Sequence, residues 1–402
     1  MTAKHKIPDH VASSVVRDVD IYNIPGGDTD PFLAWQAIKN SSPEMFYTPH
    51  YGGYWVVNSA ELYHRVLTDT EHFTSRKAVL VPDMPEGTPD FPPLMVDAPE
   101  HRAFRHPYNL ALSPKKVQVF GEQARSVIIG CIDAIIDKGE CEFMADVALQ
   151  VPIAVVMSLL GLPFEDRERL IPLVDAVTHG DNPEARGGAA MAIFAYCDEW
   201  VTKREQEPGD DLISRFIKIK VGDRPATHME ATASVTILLL GGLDSVSHTM
   251  AFFMKFLAEN SDHRQQLIDD PALIPYAVDE LLRRYSIVST ARMALKNIEI
   301  GGITMRAGDK VIVEMCMNSM DEEAWPDAMA VKFDRCPKNI PSFGEGPHKC
   351  VGMNLARNEL RALLEEWLKR IPNFTITPGK SVATMTGQNI GIHELPLSWN
   401  AA

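Results

Sequence analysis

The six cysteines (Cys131, Cys141, Cys197, Cys316, Cys336 and Cys350) include no C-x-x-C pair and no dense cluster. That scatter offers neither a disulfide framework nor a structural zinc site, and it reads as reduced cytosolic thiols. Positive charge is not in excess either. The 54 acidic and 39 basic residues give −15, which disfavours nucleic acid or an anionic membrane as the main partner. Long apolar runs are missing: the most hydrophobic stretch, ATASVTILLLGG, meets Asp244 well short of the roughly 20 residues a membrane span needs. The N-terminal MTAKHKIPDHVASS lacks the apolar centre of a signal peptide, so a cytoplasmic location is expected. No linker, repeat or low-complexity tract divides the 402 residues. The expectation is one domain over residues 1–402, with residues 1–14 loosely ordered.

What the sequence does contain is helical periodicity. Residues 353–369 place Ala356, Leu360, Leu363, Leu364, Trp367 and Leu368 on one face, with Pro372 just beyond. Residues 228–260 carry the longest helical pattern, opened by the capping-box pair Thr227 and Glu230, and would span about 50 Å. A further helix, PYAVDELLRRY, precedes a β-rich patch, IEIGGITMRAGDKVIVEM, whose Gly308-Asp309 pair suits a hairpin turn. The tail around NIGIHELPLSW reads as strand. The fold class expected is mainly α with a small β region. VPDMPEGTPDFPPLM, residues 81–95, holds five prolines and cannot form a regular helix or central strand. Long irregular loops of this kind serve as lids or binding loops.

Three constellations carry chemistry. In LLLGGLDSVSH, two glycines interrupt a helix at a cost of roughly 1 kcal/mol each. There Gly241, Asp244, Ser245 and His248 share one face, which brings a small molecule near an acid and a hydroxyl. Close helix packing, with Ser245 bonded back to a carbonyl one turn earlier, explains the same letters. Glu280 and Arg283 share a helix face, as any solvated E-x-x-R pair does. In SFGEGPHKCVGMNLARNEL, Gly344 and Gly346 permit tight turns that aim amides inward, and a helix begins near Gly352. Both features favour a thiolate at Cys350. A nucleophile with His348 as its base fits this loop. A thiolate on haem iron fits better, since it needs one cysteine and an apolar, glycine-lined face.

The run Phe343-Gly344-x-Gly346-x-His348-x-Cys350-x-Gly352 resembles the haem-binding loop of the cytochrome P-450 superfamily. Glu280-x-x-Arg283, the glycine–acid–alcohol segment and Arg335 in KFDR stand in that family's order. The resemblance covers about residues 15 to 398. It is greatest to the camphor-hydroxylase branch of soluble bacterial members, through GGLDS, DELLRRYS and LPLSW. It implies a helical domain shaped as a triangular prism and enclosing haem b (iron protoporphyrin IX). Cys350 is then the axial ligand, and Arg292, His348, His101 and Arg105 bind the propionates. Phe343, Gly344, Gly352 and Gly241 border the cofactor. Asp244 and Ser245 deliver protons to bound dioxygen, while Glu280, Arg283 and Arg335 form a structural triad.

The resemblance further implies a monomeric monooxygenase of a small hydrophobic substrate, with electrons from a ferredoxin and its NADH-dependent reductase. Arg65, Arg102, Lys349 and Arg357 match cationic positions of the family's ferredoxin face. The pocket implied by alignment is Leu80, Phe91, Leu94, Ile237, Leu240, Val288, Thr290, Gln388 and Asn389. Two departures stand out. Ser245 replaces the family's usual threonine, and Pro89 replaces the tyrosine that orients a ketone in the camphor branch. A monoterpenoid or norisoprenoid is therefore expected rather than camphor. A haem-thiolate sensor or carrier without turnover is the alternative.

Overall fold

The computed structural model of the protein describes residues 5–78, 81–84, 86–179 and 183–400. Its contacts gather into two compact units, each discontinuous in sequence. One comprises the chain up to Thr88 together with Asp279–Cys350 and Ala383–Ile392. The other comprises Pro89–Val278, Val351–Val382 and the chain from His393 on. Helix predominates and the strands are few and short, as expected.

The first unit is built on a five-stranded sheet in the order Met45–Thr48, Tyr54–Val57, Lys310–Glu314, Ser289–Ala294, Phe73–Thr74. Val56 pairs antiparallel with Phe46 and parallel with Ile312, which in turn pairs antiparallel with Ala291. Val311 and Val313 alternate onto one face and pack with Trp55, Val57, Leu62, Val66 and Phe73. The hairpin expected at Gly308-Asp309 is corrected. The tight hairpin joins Ile298–Ile300 to Ile303–Met305 across Gly301 and Gly302, whose φ values of +57° and +72° supply two successive left-handed positions. After Gly308 the chain instead enters Lys310–Glu314, paired with Ser289–Ala294. Residues 5–14, expected to be loose, carry anchors: His10 Nε2 lies 2.8 Å from Asp309 Oδ2, and Val11 is buried in the apolar cluster beneath the sheet.

The second unit is helical. Its long helix, His228–Glu259, opens with the expected capping box: Thr227 Oγ1 accepts from Glu230 N–H, and the Glu230 carboxylate accepts from Thr227 N–H at 2.8 Å. His228 then ties this end to the helix Pro183–Gln206, through Asp198 at 2.8 Å and Glu205 at 3.0 Å. By length and apolarity the long helix could cross a membrane, but 61% of its most apolar window is buried inside the protein, which marks a core helix. It packs on the apolar helix Gln150–Leu160, and a Cβ at Gly242 would fall 2.7 Å from Val156 Cγ2. The helix Met353–Arg370 lies on Pro114–Ile135, with Arg125 bonded to both Glu365 and Glu366. It buries Leu360, Leu363, Leu364, Trp367 and Leu368, each leucine contributing roughly 1.5–3 kcal/mol. Ala356 is only half-buried, and Glu359 is buried in the same helix.

Candidate functional site

In the first unit, the cysteine loop is fixed by its own backbone and by two helices. Gly344 has φ +63° and ψ −174°, a conformation essentially reserved for glycine. Gly346 has φ +72°, and a Cβ there would fall 2.3 Å from the Leu67 carbonyl oxygen. Cys350 N–H donates to Phe343 O at 2.8 Å, closing the loop with Cys350 exposed. From the helix Ala60–Thr68, Tyr63 donates to Pro341 O at 3.0 Å, and His64 Nδ1 meets the Glu345 carboxylate at 2.5 Å. Burial pushes the Tyr63 hydroxyl far above its usual pKa, so it stays a donor. From the helix Ile274–Arg284, Leu282 O accepts from Ser342 Oγ at 2.5 Å. His348 is half-buried, at the end of a single turn Gly346–His348. Gly352 precedes the helix Met353–Arg370, whose first amides receive no side-chain cap.

Burial pushes the thiols of Cys131, Cys141, Cys197 and Cys316 up, so these four read as small hydrophobes. The exposed thiols are Cys336 and Cys350.

The same unit holds Glu280, Arg283 and Arg335 as one buried network. Arg283 donates to Glu280 at 2.9 and 3.0 Å and to the carbonyls of Ser319, Ala328 and Ala330 at 2.8–3.0 Å. Arg335 Nε reaches Glu280 Oε1 at 3.1 Å. Arg292 is buried and donates through Nη1 to Ala291 O at 2.7 Å and to Thr290 Oγ1 at 3.2 Å. Val288, Thr290, Gln388 and Asn389 come together here. Val288 bridges Asn389, Ser289 N–H and Oγ both donate to Gln388 O, and Gln388 Nε2 donates to Ser289 O at 2.8 Å.

In the second unit, His101 and Arg105 stand one turn apart on the helix Glu100–Ala111. Burial and the Arg105 charge both lower the His101 pKa, against Asp97. Arg105 Nε donates weakly to Asn109 Oδ1 at 3.4 Å. On the long helix, a Cβ at Gly241 would meet nothing within 4 Å, unlike its neighbour Gly242. Ser245 Oγ donates to Gly241 O at 3.2 Å, the back-bond open to any such serine, which leaves its lone pairs to accept. Asp244 Oδ1 lies 3.1 Å from His248 Nε2. Ile237, Leu240, Leu94 and Phe91 are half-buried, and Phe91 packs edge-on against Phe194. Leu80 lies outside the described residues.

Glu314 and Glu359 are buried acids that escaped the sequence reading. Both are wholly enclosed, and burial pushes each carboxyl up to about 8. For Glu314 a signal existed: in KVIVE strand alternation puts it on the face of Ile312.

Among the described residues, no group of three or more His, Cys, Asp or Glu could hold a bare metal ion. One exposed thiol can therefore retain a metal only if the remaining ligands arrive with it, as they do in a macrocycle. Buried Arg292, and His101 beside Arg105, are donors suited to carboxylates. Gly241 clears a side chain's width from the long helix. The donor set fits haem b.

The comparisons agree. The sequence model of the family Cytochrome P450 matches residues 180–401. The chain is 34% identical to the probable cytochrome P450 127A1 of Sinorhizobium fredii, over 98% of this chain and 97% of that one. Among solved structures it is similar to cytochrome P450 CYP101C1, with TM-score 0.89 and 33% identity over 98% of this chain and 100% of that one. It is also similar to CYP101J2, with TM-score 0.88 and 32% identity at the same coverage. On its loop, its fold and these relatives, the chain belongs to the cytochrome P450 family and is a haem-dependent monooxygenase.

Proposed function

We propose that this cytochrome P450 hydroxylates a small terpenoid-like hydrocarbon, a monoterpenoid or norisoprenoid, using electrons from a ferredoxin reduced by an NADH-dependent reductase. The observation that carries the reading is how far the polar pocket candidates are already committed. Gln388 donates to Ser289 O, and Thr290 Oγ1 accepts from Arg292. The other described candidates, apart from Asn389, are Phe91, Leu94, Ile237, Leu240 and Val288. Affinity then comes from burying a compact apolar body, at about 25 cal/mol per Å². Pro89 offers no hydroxyl to a ketone.

Bound haem supplies dioxygen activation and insertion of one oxygen atom into a C–H bond. Cys350 would hold the iron through sulfur, and Arg292, His348, His101 and Arg105 would hold the propionates. Phe343, Gly344, Gly352 and Gly241 would border the ring. Asp244 would take a proton from bulk water and hand it to a water held by Ser245 Oγ, which accepts that water's hydrogen bond while its own hydrogen stays on Gly241 O. The apolar side chains exclude bulk water, so proton traffic is confined to that pair. Arg65, Arg102, Lys349 and Arg357 would receive an acidic ferredoxin, with rates that fall as salt rises.

The test is a spectral titration of the purified holoenzyme with ionone-like, cineole-like and camphor-like compounds, followed by product analysis with ferredoxin, reductase and NADH. The expected result is conversion from low to high spin by ionone-like or cineole-like compounds, with hydroxylated product. Tight camphor binding with no response to the others would overturn the substrate assignment. Spin conversion without product would point to a carrier.

A further inference from the structure

We propose that His228, as the imidazolium, is a positioning residue of the substrate pocket, holding the helix Pro183–Gln206 on the long helix so that Phe194 stays against Phe91. The inference rests on the reading of Phe91 as a pocket residue and adds the group that keeps this wall in place. His228 Nδ1 lies 3.0 Å from Glu205 Oε1, and Nε2 lies 2.8 Å from Asp198 Oδ1. Carboxylates only accept hydrogen bonds, and a neutral imidazole has one N–H to give. Both contacts are hydrogen bonds only when the ring holds two protons. A ring with one proton would set a lone pair against one of the carboxylates.

The surrounding charges agree with the doubly protonated ring. Asp198 and Glu205 face it from the helix Pro183–Gln206. On its own helix Glu230 is engaged by Arg224, which donates to both its oxygens at 2.7 Å, and the charge of Glu100 acts on Arg224 in turn. His228 is the first residue of the long helix, where the backbone dipole disfavours a cation, so its charge depends on the two carboxylates. Burial works against the protonated ring, yet its bonds to Glu205 and Asp198 raise its pKa above the ordinary 6.5. The three side chains are 38–44% exposed, so the ring exchanges protons with bulk water. The tie is complete below pH 6.5 and is lost as pH rises through the raised value.

One stripe of the helix connects this tie to the pocket wall. Phe194, Asp198, Val201 and Glu205 recur at i, i+4, i+7 and i+11. Val201 is fully buried, and Thr232 Oγ1, one turn after His228, also donates to Asp198 Oδ1 at 3.3 Å. One turn before Asp198, Phe194 meets Phe91 edge-on with ring centroids 6.3 Å apart. A helix is stiff over one turn, so slack at Asp198 becomes slack at Phe194.

Wild type, His228→Gln, His228→Lys and Asp198→Asn/Glu205→Gln holoenzymes test this. The probe is a phenylpyridine, whose nitrogen binds haem iron whatever the natural substrate is. Its dissociation rate is followed in the haem spectrum from pH 6.5 to 9. The wild-type rate should rise about two- to fivefold, the range set by half-exposed ion pairs. Glutamine is never a cation, so His228→Gln and the double variant should be fast throughout. Lysine stays charged over this range, so His228→Lys should be slow throughout. A flat wild-type rate, or a His228→Gln variant that keeps the wild-type slope, would overturn the proposal. Two readouts need no ligand in the pocket. In ¹⁵N-histidine-labelled protein in the diamagnetic carbon monoxide form, the ring signals absent from His228→Gln should show both nitrogens protonated at pH 6.5. Amides of the helix Pro183–Gln206 should exchange faster in His228→Gln than in wild type at pH 6.5, and alike at pH 9. A singly protonated ring at pH 6.5 would overturn the proposal even if no variant folds. If both readouts behave as expected while the probe leaves at an unchanged rate, the tie is not part of the pocket and the proposal fails. A natural substrate other than a terpenoid alters none of these outcomes.

Discussion

Two glycines of the cysteine loop are required for different reasons, and the difference can be measured. At Gly344 the backbone itself is the constraint, with φ +63° and ψ −174°. At Gly346 space adds to it, since a Cβ would come 2.3 Å from Leu67 O, a backbone atom that cannot swing aside. Gly346→Ala must therefore displace either the loop or the helix Ala60–Thr68. We expect it to cost about 1–3 kcal/mol of stability and to lower the haem retained per protein, read from the thiolate-type carbon monoxide band. Unchanged thermal unfolding with full haem would show that the Leu67 contact is dispensable. The sequence alone marks both glycines as turn formers. It gives no sign that Gly346 faces Leu67, because the contact spans 279 positions and leaves no local pattern. The same blindness hides Glu359, which by letter alone passes for a surface acid.

The E-x-x-R pair shows how burial alters the meaning of a motif. On a solvated helix face it would be worth about 0.3–0.5 kcal/mol. Here Glu280 and Arg283 are fully buried, and all five guanidinium donors have acceptors: two on Glu280 and three on the carbonyls of Ser319, Ala328 and Ala330. Arg335 and the Lys332 amide complete the carboxylate. The helix Ile274–Arg284 thereby clamps the irregular segment after Ser319, which has little regular structure of its own. Lysine has three donors and no planar fork, so Arg283→Lys should cost about 3–5 kcal/mol despite keeping the charge. Urea unfolding of the holoenzyme would check it, and a loss below about 1 kcal/mol would refute the clamp. Helices were legible because apolar spacing repeats over three or more turns. The Ile298–Met305 hairpin was misassigned because two adjacent glycine-containing turns compete, and only the φ values at Gly301 and Gly302 decide between them.

At the scale of the whole chain, no linker was legible because none of the crossings between the two units is a linker. They fall inside the proline-rich loop, inside the helix Ile274–Arg284, just after Cys350, at the start of the strand Ala383–Met385, and inside the strand Gly391–Glu394. Among the described residues, Glu314 and Glu359 are buried acids with no cationic partner holding them ionised as Arg283 and Arg335 hold Glu280: burial dominates at Glu314 in the sheet unit and alone raises Glu359 in the helical unit. Burial holds both carboxyls near 8, against 4.5 unperturbed, with Ser289 partly offsetting the effect at Glu314. Below about pH 4.5 folded and unfolded chains both carry these protons, and nothing is lost. Between 4.5 and 8 the unfolded chain releases protons that the folded chain keeps, so stability falls as pH rises through this window. Groups of opposite sign act at lower pH. Burial works against Asp211 and Glu365, yet hydrogen bonds from Ser214 and Arg204, and from Arg361 and Arg125, hold both carboxyls below their usual range. Their stabilisation is complete above the usual carboxylate range and is lost only as pH falls through it. The holoenzyme should therefore unfold at higher temperature near about pH 6 than near about pH 8. The double variant Glu314→Gln/Glu359→Gln, which has no proton to lose at either site, should flatten that decline by stabilising the protein chiefly at the higher pH. Parallel curves for wild type and variant would mean that neither acid is neutral in the folded protein.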